Sequence, residues 1–293
     1  MSRIIITIPA YNEERTLPKV LEEIKTVMSH SGIKYSLLIV NDGSKDETAK
    51  VANNLGTTVI SHKRNKGLAE TFKTEIKECL KQNADIIVHT DADGQYPAEY
   101  IPELIKKVEE GNDLVLGSRF LKKKYSGSLM KSLGNQAFAK ALSSLTKVKI
   151  TDSTTGFRAF TKDVASEIEY INTFTYTQEQ IIKAAKQKFI IAEVPIHTKK
   201  TRDSRLFKNP FQYALKAWIN IFRIYRDYNP LHFFGFIGLF LLLGSLILGI
   251  YFVFLHFTSG ITGHLGLLFL LIILLFTGLQ IISFGFLADM LKK

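Results

Sequence analysis

A run near the end of the chain, residues 231–288, contains no Asp, Glu, Lys or Arg, and this run limits the fold more than any other feature. Within it lie two apolar stretches, Phe233–Phe257 and Leu265–Leu287. A helix of about 20 residues crosses the hydrocarbon core of a bilayer, which is roughly 30 Å thick. The linking residues, 256–264, include Gly and Ser, which favour a tight turn. The sequence therefore predicts a hairpin of two transmembrane helices.

Basic residues are distributed unevenly around this hairpin. Residues 199–226 carry eight Lys or Arg and a single acid, Asp203, and Lys292 and Lys293 follow the second apolar stretch. The turn between the stretches has no Lys or Arg. Because basic flanks stay in the cytoplasm, both termini and the globular part are expected there. The membrane would be the plasma membrane of a prokaryote or the endoplasmic reticulum membrane of a eukaryote.

The segment just before the hairpin is amphipathic. Its apolar residues recur at helical spacing with Lys and Arg among them, which is typical of a helix that lies in a membrane interface. The apolar positions are Phe211, Leu215, Trp218, Ile219, Phe222 and Tyr225. An ordinary surface helix is the alternative. The predicted division is therefore a cytoplasmic domain over residues 1–208, an interfacial helix over 209–230 and the hairpin over 231–293.

The first part of the chain alternates short β-branched runs with segments whose apolar residues recur three and four apart. Predicted strands are Arg3–Ile8, Tyr35–Val40, Thr57–His62, Ile86–Thr90, Leu114–Gly117 and Ile190–Ile196. Predicted helices are Thr16–Met28, Asp46–Leu55, Leu68–Lys81, Glu99–Glu110, Ser132–Leu145 and Thr177–Lys188. This order predicts an α/β fold with a mostly parallel sheet and helices on both faces. Ligands of such sheets bind at the carboxyl ends of the strands.

Three loops at those carboxyl ends are rich in acids and turn-forming residues. They are Pro9-Ala10-Tyr11-Asn12-Glu13, Val40-Asn41-Asp42-Gly43-Ser44 and Thr90-Asp91-Ala92-Asp93-Gly94-Gln95. In the third loop, Asp91 and Asp93 flank Ala92, so their carboxylates can converge on a hard divalent cation, Mg²⁺ or Mn²⁺, that neutralises phosphates. Gln95 adds a neutral oxygen. A lone Asp-x-Asp is more often a solvated turn, but the two neighbouring loops favour the metal site.

Several common chemistries are disfavoured. No G-x-G-x-x-G follows the first strand and no G-x-x-x-x-G-K-[ST] occurs, which argues against a dinucleotide oxidoreductase and a P-loop NTPase. The only cysteine, Cys79, lies in a helical segment, and His62 and His89 end strands and are interpreted as structural. The net charge of +11 suggests an anionic partner. The basic residues cluster before the hairpin, so no nucleic-acid partner is expected.

Together these motifs resemble those of the family 2 glycosyltransferases, which have the GT-A fold. Within that family the chain is similar, over nearly its whole length, to the polyprenyl-phosphate hexose transferases. That group contains dolichol-phosphate mannose synthase and bacterial polyprenyl-phosphate glucosyltransferases. Further matching motifs are Asn65-Lys66-Gly67, Gly117-Ser118-Arg119-Phe120, Asp152-Ser153-Thr154-Thr155-Gly156-Phe157-Arg158 and Glu193-Val194-Pro195-Ile196. The resemblance implies metal-dependent, inverting transfer of a hexose from a UDP- or GDP-linked sugar to dolichyl or undecaprenyl phosphate.

The resemblance also implies roles for individual residues. Donor-binding residues are expected to be Pro9, Tyr11, Asn12, Glu13, Val40, Asn41, Asp42, Asp91, Ala92, Asp93 and Arg205. Metal ligands are expected to be Asp91, Asp93 and Gln95, and the residues around the acceptor phosphate Arg119, Lys131, Ser132, Arg158 and Arg202. Asp93 and Arg119 are the expected catalytic residues. Because the acceptor is already an anion, the site must supply alignment and charge neutralisation rather than a strong base.

The chain departs from the family pattern in several places. Asn41 stands where the second motif often has an acid, and Lys73-Thr74-Glu75 stands where the family commonly has a glycine. Only lysines occur near Lys131, where an arginine often lies, and the basic loop reads Arg202-Asp203-Ser204-Arg205. For Arg158, a structural ion pair is the alternative to a phosphate contact.

Two other functions stay open at this point. A processive polysaccharide synthase would carry Gln-x-x-Arg-Trp, whereas the only tryptophan, Trp218, follows Ala217. A non-catalytic membrane scaffold that binds nucleotide sugar would not need the acidic triplet. The sequence leaves undecided the sugar, the base, the polyprenol length and whether the chain forms a homo-oligomer.

Overall fold

A computed structural model describes residues 2–121, 129–170, 176–199, 219, 222–223, 226–259 and 264–291, with the backbone alone for residues 129–134 and 259. The chain divides into two compact units, Met1–Pro210 and Phe211–Lys293. The first unit contains a β-sheet with its helices, and the second contains two long apolar helices.

The first unit alternates strands and helices largely as the hydrophobic pattern predicts. The strands are β1 (Ile4–Ala10), β2 (Tyr35–Asn41), β3 (Thr58–Ser61), β4 (Ile86–His89), β5 (Leu114–Ser118), β6 (Arg158–Thr161) and β7 (Ile191–Pro195). The helices are α1 (Leu17–Ser31), α2 (Thr48–Asn54), α3 (Leu68–Lys81), α4 (Ile101–Glu109), α5 (Leu129–Thr146), α6 (Lys162–Glu167) and α7 (Tyr176–Lys186), and a 3-10 turn (Ala98–Tyr100) precedes α4. The sequence pattern predicts neither β6 nor α6.

Helix α1 shows how the periodic pattern becomes packing. Pro18 lies in the first turn, where its missing N–H costs no hydrogen bond, and Gly32 ends the helix with a left-handed φ of 68°. Leu17, Leu21 and Ile24 lie on one face and are buried in the core. Burying each such side chain contributes about 1.5–3 kcal/mol.

The described residues form a seven-stranded sheet in the order β3-β2-β1-β4-β6-β5-β7. Strand β6 is antiparallel to both of its neighbours, β4 and β5, and the other pairs are parallel. The predicted mostly parallel α/β sheet is confirmed. Because β6 runs in the opposite direction, its first residue, Arg158, pairs in register with His89, the last residue of β4. The segment before β6 therefore reaches the same sheet edge as the carboxyl ends of the other strands.

The second unit consists of α8 (Pro230–Ser259) and α9 (Leu265–Met290), helices of 30 and 26 residues. At 1.5 Å per residue, each is longer than the roughly 30 Å hydrocarbon core of a bilayer. Large apolar side chains such as Phe236, Phe240 and Phe276 face outward, as lipid contact requires. By length and composition both helices are candidate membrane spans, which matches the predicted hairpin.

Glycines let α8 and α9 approach closely. A Cβ on Gly238 would lie 2.7 Å from the carbonyl oxygen of Gly278, and a Cβ on Gly278 would lie 3.0 Å from that of Gly238. The Ser245 hydroxyl donates a hydrogen bond of 3.1 Å to the Leu271 carbonyl. Close backbone packing and interhelical hydrogen bonds are the interactions that associate helices in lipid.

The predicted interfacial helix is described only in part. Ile219, Phe222, Arg223 and residues 226–228 are helical, and the Ile219 and Phe222 side chains are exposed. The rest of the 209–230 segment up to residue 225 lies outside the described residues. The interfacial location and the three-part division therefore stay predictions.

Candidate active site

Hydrogen bonds join the loop after β1 to the loop after β2, and both loops contain expected donor-binding residues. The Asn12 N–H donates to Ser44 Oγ at 2.9 Å, and Asn12 Oδ1 accepts the Lys45 N–H at 2.9 Å. The Glu13 N–H donates to Thr48 Oγ1 at 2.8 Å. Asn12 has a positive φ of 55°, which asparagine tolerates better than most residues. Asn12 and Glu13 therefore hold the shape of this part of the sheet edge.

The other residues of these motifs are mostly buried strand ends. Pro9 and Val40 pair in register on neighbouring strands, and both are buried. Asn41 is also buried, and its Nδ2 donates to Ser61 Oγ at 3.1 Å. The Tyr11 side chain, by contrast, is 37% exposed. Tyr11 therefore has an aromatic ring available to a ligand, whereas Pro9, Val40 and Asn41 shape the strand ends.

Asp42 is buried, and its carboxylate organises the loop after β3. Oδ1 accepts hydrogen bonds from His62 Nδ1 at 2.7 Å and from the Lys66 N–H at 2.9 Å, and Oδ2 accepts the Gly67 N–H at 2.9 Å. His62 Nε2 lies 2.9 Å from Thr74 Oγ1, so both ring nitrogens have partners and the prediction of a structural histidine is confirmed. Much of the acceptor capacity of Asp42 is thus used within the protein.

The predicted metal ligands lie in the turn directly after β4. Ala92 is buried between Asp91 and Asp93, which are both partly exposed. The Gln95 N–H donates to Asp93 Oδ1 at 2.9 Å, and Gly94 takes a left-handed φ of 72° within the turn. This short turn therefore places all three predicted ligands at the carboxyl edge of the sheet.

The surroundings of Asp91 disfavour an unpaired negative charge. Desolvation is the main reason that the pKa of Asp91 is raised to about 6. Asp93 and Glu75 raise this pKa further, whereas His89 and Arg119 act in the opposite direction. A divalent cation would offset the repulsion between the two aspartates, and carboxylate oxygens suit Mg²⁺ or Mn²⁺.

Two aspartates supply only part of a cation's ligand shell. Across the described ranges, no group of three or more His, Cys, Asp or Glu side chains converges. Mg²⁺ commonly binds one or two carboxylates and takes its remaining ligands from water and substrate phosphates. Gly156 keeps space beside Asp91, because a Cβ there would lie 3.3 and 3.4 Å from its carboxylate oxygens. The residues present fit a cation that protein and diphosphate hold jointly.

Arg119, directly after β5, is held by a bidentate ion pair with Asp152. Its Nε donates to Asp152 Oδ2 at 2.7 Å, and one terminal nitrogen donates to Asp152 Oδ1 at 2.9 Å and to Thr154 Oγ1 at 2.8 Å. The Asp152 side chain is fully buried, and that of Arg119 is 14% exposed. The sequence predicts that this guanidinium fork binds a phosphate, but the structure shows it bound to Asp152.

A network of hydrogen bonds fixes Asp152 in turn. Glu193 on β7 accepts the Thr151 N–H at 2.9 Å and the Asp152 N–H at 3.1 Å through Oε1. The Thr154 hydroxyl donates to Asn135 Oδ1 on α5 at 3.2 Å. Sequence reasoning missed these contacts because they join residues that are far apart in the chain. They tie the segment before β6 to α5, β5 and β7.

Tyr96 is a further residue of the site that the sequence does not predict. Its ring stacks on Phe157 with centroids 5.3 Å apart, and its hydroxyl oxygen accepts the Gly156 N–H at 3.2 Å. Burial raises the pKa of Tyr96 to about 12, with Arg119 acting against this and Asp91 adding to it. Tyr96 thus stays protonated and supports Gly156 beside Asp91. An aromatic residue directly after the acidic turn is the one signal in the sequence.

Arg158 is completely buried, and protein oxygen atoms bind its guanidinium. It donates to Gln180 Oε1 at 2.8 Å, to the Thr177 carbonyl at 3.2 Å and to the Thr155 carbonyl. Burial lowers the pKa of Arg158. The guanidinium has no access to the surface in this conformation, so the contact with the acceptor phosphate stays a prediction without support from this geometry. The structural alternative holds, with neutral oxygen partners in place of an ion pair.

Four other predicted residues cannot be placed in the same detail. Lys131 and Ser132 belong to α5, but their side chains lie outside the described residues, and so do Arg202 and Arg205. The chain that leads to the basic loop is described as far as Lys199, whose N–H donates to the Gln95 carbonyl at 2.9 Å. Lys199, the last described residue before the basic loop, therefore lies beside the acidic turn.

The sequence profile of one family, described as glycosyl transferase family 2, matches residues 5–169, more than half of the chain. The chain belongs to glycosyl transferase family 2. The match spans all three strand-end loops and the pair of Arg119 and Asp152. The matched region of this glycosyltransferase therefore includes the turn with Asp91 and Asp93, the supporting residue Tyr96 and the space beside Gly156.

Three curated relatives of this glycosyltransferase have dolichyl or dolichol phosphate in their names. The dolichyl-phosphate hexose transferase of Haloferax volcanii is 30% identical over 193 residues, which cover 66% of this chain and 81% of the relative. The UDP-N-acetylglucosamine–dolichyl-phosphate N-acetylglucosaminyltransferase of Methanococcus voltae is 33% identical over 218 residues, 67% of this chain and 85% of the relative. The dolichol-phosphate mannosyltransferase of Pyrococcus furiosus is 31% identical over 66% of this chain and 55% of its own length.

Solved structures resemble the fold of this glycosyltransferase at lower identity. Glucosyl-3-phosphoglycerate synthase of Mycobacterium tuberculosis, in complex with Mn²⁺, UDP and phosphoglyceric acid, has a TM-score of 0.59 and 19% identity. The match covers 75% of this chain and 78% of that enzyme. The same enzyme with phosphoglyceric acid has a TM-score of 0.60. At this identity the likeness shows the fold alone, and it confirms the GT-A expectation.

Proposed function

We propose that this glycosyltransferase transfers a sugar from a nucleoside diphosphate to a polyprenyl phosphate. One observation carries the proposal. The same chain has the turn with Asp91 and Asp93 at the sheet edge and two apolar helices of membrane-spanning length. The dolichyl phosphate in the names of three relatives supports the acceptor class. Those names differ in the sugar, so the proposal leaves the sugar unspecified.

The donor would bind across the loops after β1, β2 and β4. Tyr11 has its ring exposed for contact with the nucleoside. Asn12 joins the loops after β1 and β2, and Asp42 joins the loops after β2 and β3. Asp91 and Asp93 would hold Mg²⁺ or Mn²⁺ with oxygen atoms of the diphosphate. When bound, such a cation supplies Lewis-acid neutralisation of the leaving diphosphate.

The acceptor phosphate is an anion at neutral pH and needs no strong base. One of its oxygens would attack the anomeric carbon from the side opposite the diphosphate, and the bond from that carbon to the diphosphate would break with inversion. The chain must therefore supply alignment and positive charge. Arg119, Lys131, Ser132 and Arg202 are the proposed residues around the phosphate, and the charge of Arg119 acts to lower the pKa of Asp91.

A transfer assay tests this function directly. Membranes that contain the protein are incubated with polyprenyl phosphate and a panel of radiolabelled UDP- and GDP-sugars, with Mg²⁺ or Mn²⁺ present or removed by chelator. We expect one label to enter the lipid phase, and only when the cation is present. Label in long polysaccharide would favour a processive synthase, and donor binding without any transfer would favour a scaffold.

We further propose that the catalytic domain and both termini face the cytoplasm, since the basic residues flank the hairpin and not its turn. A cysteine placed at Ser259 should react with an impermeant thiol reagent from outside intact cells. A cysteine placed at Ser2 should react only after permeabilisation. The native Cys79 is buried and should add little background. The reverse labelling pattern would show the opposite orientation.

A further inference from the structure

Two buried ionisable side chains are paired beneath the acidic turn. Glu75 on α3 and His89 at the end of β4 have fully buried side chains, and Glu75 Oε2 lies 2.9 Å from His89 Nδ1. An ionised carboxylate loses several kcal/mol of hydration when it is buried. The second oxygen, Oε1, has no hydrogen-bond partner among the described residues. A buried acid that is only partly satisfied calls for an explanation.

The imidazole of His89 is held from several sides. The Phe72 ring meets it edge-on, with centroids 5.0 Å apart, and the Tyr176 hydroxyl lies 3.4 Å from Nε2. An ionised Glu75 can only accept, so Nδ1 carries the hydrogen of the shared bond. Nε2 is therefore on the edge of the ring away from Glu75, and Asp91 Oδ1 lies 4.0 Å from it.

Asp91 thus lies between two fixed neighbours. His89 Nε2 lies 4.0 Å from Asp91 Oδ1, whereas Gly156 leaves room on its side, because a Cβ there would lie only 3.3 Å from Oδ1. The backbone of Gly156 is itself fixed by the Tyr96 hydroxyl at 3.2 Å. The ring edge of His89 therefore limits how the Asp91 carboxylate can turn on that side.

We propose that Glu75 and His89 are positioning residues for Asp91. Glu75 fixes the His89 ring, and the ring edge fixes the Asp91 carboxylate in the orientation in which it binds a divalent cation. The inference rests on the proposed function only in that this function requires the cation. Groups that orient a metal ligand typically change metal affinity by about 10- to 100-fold when they are lost.

Matched substitutions distinguish an effect on the position of the Asp91 carboxylate from an effect on the packing of the core. His89→Asn places an amide N–H near the Nδ1 position, so it can still donate to Glu75, but it lacks the ring edge toward Asp91. Glu75→Gln keeps the volume and an acceptor oxygen, whereas Glu75→Ala releases the His89 ring without changing it. Glu179→Gln is the control because it neutralises another buried carboxylate, one that pairs with Lys183 on α7.

Mn²⁺ binding to the full chain with UDP is measured by calorimetry, and thermal unfolding is measured without metal. We expect His89→Asn and Glu75→Ala to weaken Mn²⁺ binding by about 10-fold, Glu75→Gln to stay within about threefold of the wild type and the control to be unchanged. If both His89→Asn and Glu75→Ala bind Mn²⁺ normally, or the control loses as much affinity, the inference is wrong. Glu75→Ala also covers the case in which His89→Asn does not fold.

The same samples separate this inference from the proposed function. A wild-type protein that binds Mn²⁺ and UDP but transfers no sugar to polyprenyl phosphate would contradict the proposed function. The loss of Mn²⁺ affinity in the His89 and Glu75 variants would still support the positioning pair.

Discussion

Asp93→Ala should lower the rate of sugar transfer by roughly 100-fold or more, which corresponds to about 2.7 kcal/mol in activation free energy. Asp93 supplies one of the two carboxylates in the turn after β4, and its Oδ1 also accepts the Gln95 N–H. The substitution removes the proposed cation ligand and the acceptor in the turn together. The rate is measured as label that enters the lipid phase at saturating donor, acceptor and Mn²⁺.

Asp93→Asn distinguishes the charge of Asp93 from its part in the turn. Asparagine still accepts the Gln95 N–H, but it has lost the negative charge that a hard cation prefers. We therefore expect Asp93→Asn to be nearly as impaired as Asp93→Ala. Asp163→Ala, which removes an exposed carboxylate from the first turn of α6, should retain full activity. Full activity of Asp93→Asn, or of the wild type in excess chelator, would rule out the metal role.

Arg119→Lys should reduce both stability and transfer, although it keeps the positive charge. Lysine cannot reproduce the bidentate contact with Asp152, whose side chain is fully buried. Disrupting a buried ion pair costs about 3 kcal/mol, so the free energy of unfolding should fall by up to that amount. Chemical denaturation of the purified protein measures this loss, and the lipid-phase assay measures transfer, which should fall by roughly 10- to 100-fold.

The same variant tests the acceptor role of Arg119. If Arg119 serves the acceptor, the KM for polyprenyl phosphate should rise while the Kd of the donor, measured by calorimetry, stays close to the wild-type value. Asp152→Asn is the matched variant because it leaves Arg119 in the chain and weakens its support. Unchanged transfer by Arg119→Lys, or an equal loss of donor affinity, would contradict the acceptor assignment.

Periodicity predicts most of the sheet because strands and helices repeat their apolar residues at different intervals. Strands β1, β2 and β4 each contain an unbroken run of at least three apolar residues, and α1 repeats its apolar residues at helical spacing. Periodicity does not predict strand β6, because the strand has only four residues and begins with the buried charge of Arg158. Its place between β4 and β5 depends on long-range pairing, which no local pattern contains.

The sequence predicts where the site lies but not which contacts it makes. Arg119 and Arg158 both lie within motifs, and the sequence predicts the same phosphate contact for each. In the structure Arg119 pairs with Asp152, whereas Arg158 is buried among neutral oxygen atoms. The sequence also marks Glu75 as a departure from the family pattern without indicating its partner. Only folding brings Glu75 on α3 to His89 on β4.

The place of β6 also governs the order in which the sheet can close while the chain leaves the ribosome. Strands β1 to β4 are mutual neighbours, so they can pair once residue 89 has emerged. The neighbours of β5 are β6 and β7. Strand β5 therefore cannot pair until segments at least 40 residues further along the chain have been synthesised. Folding during synthesis proceeds from the N-terminal side. The sheet edge with the loops after β1, β2 and β4 can therefore form before Arg119 meets Asp152, and the apolar hairpin, which begins at residue 230, emerges later than both.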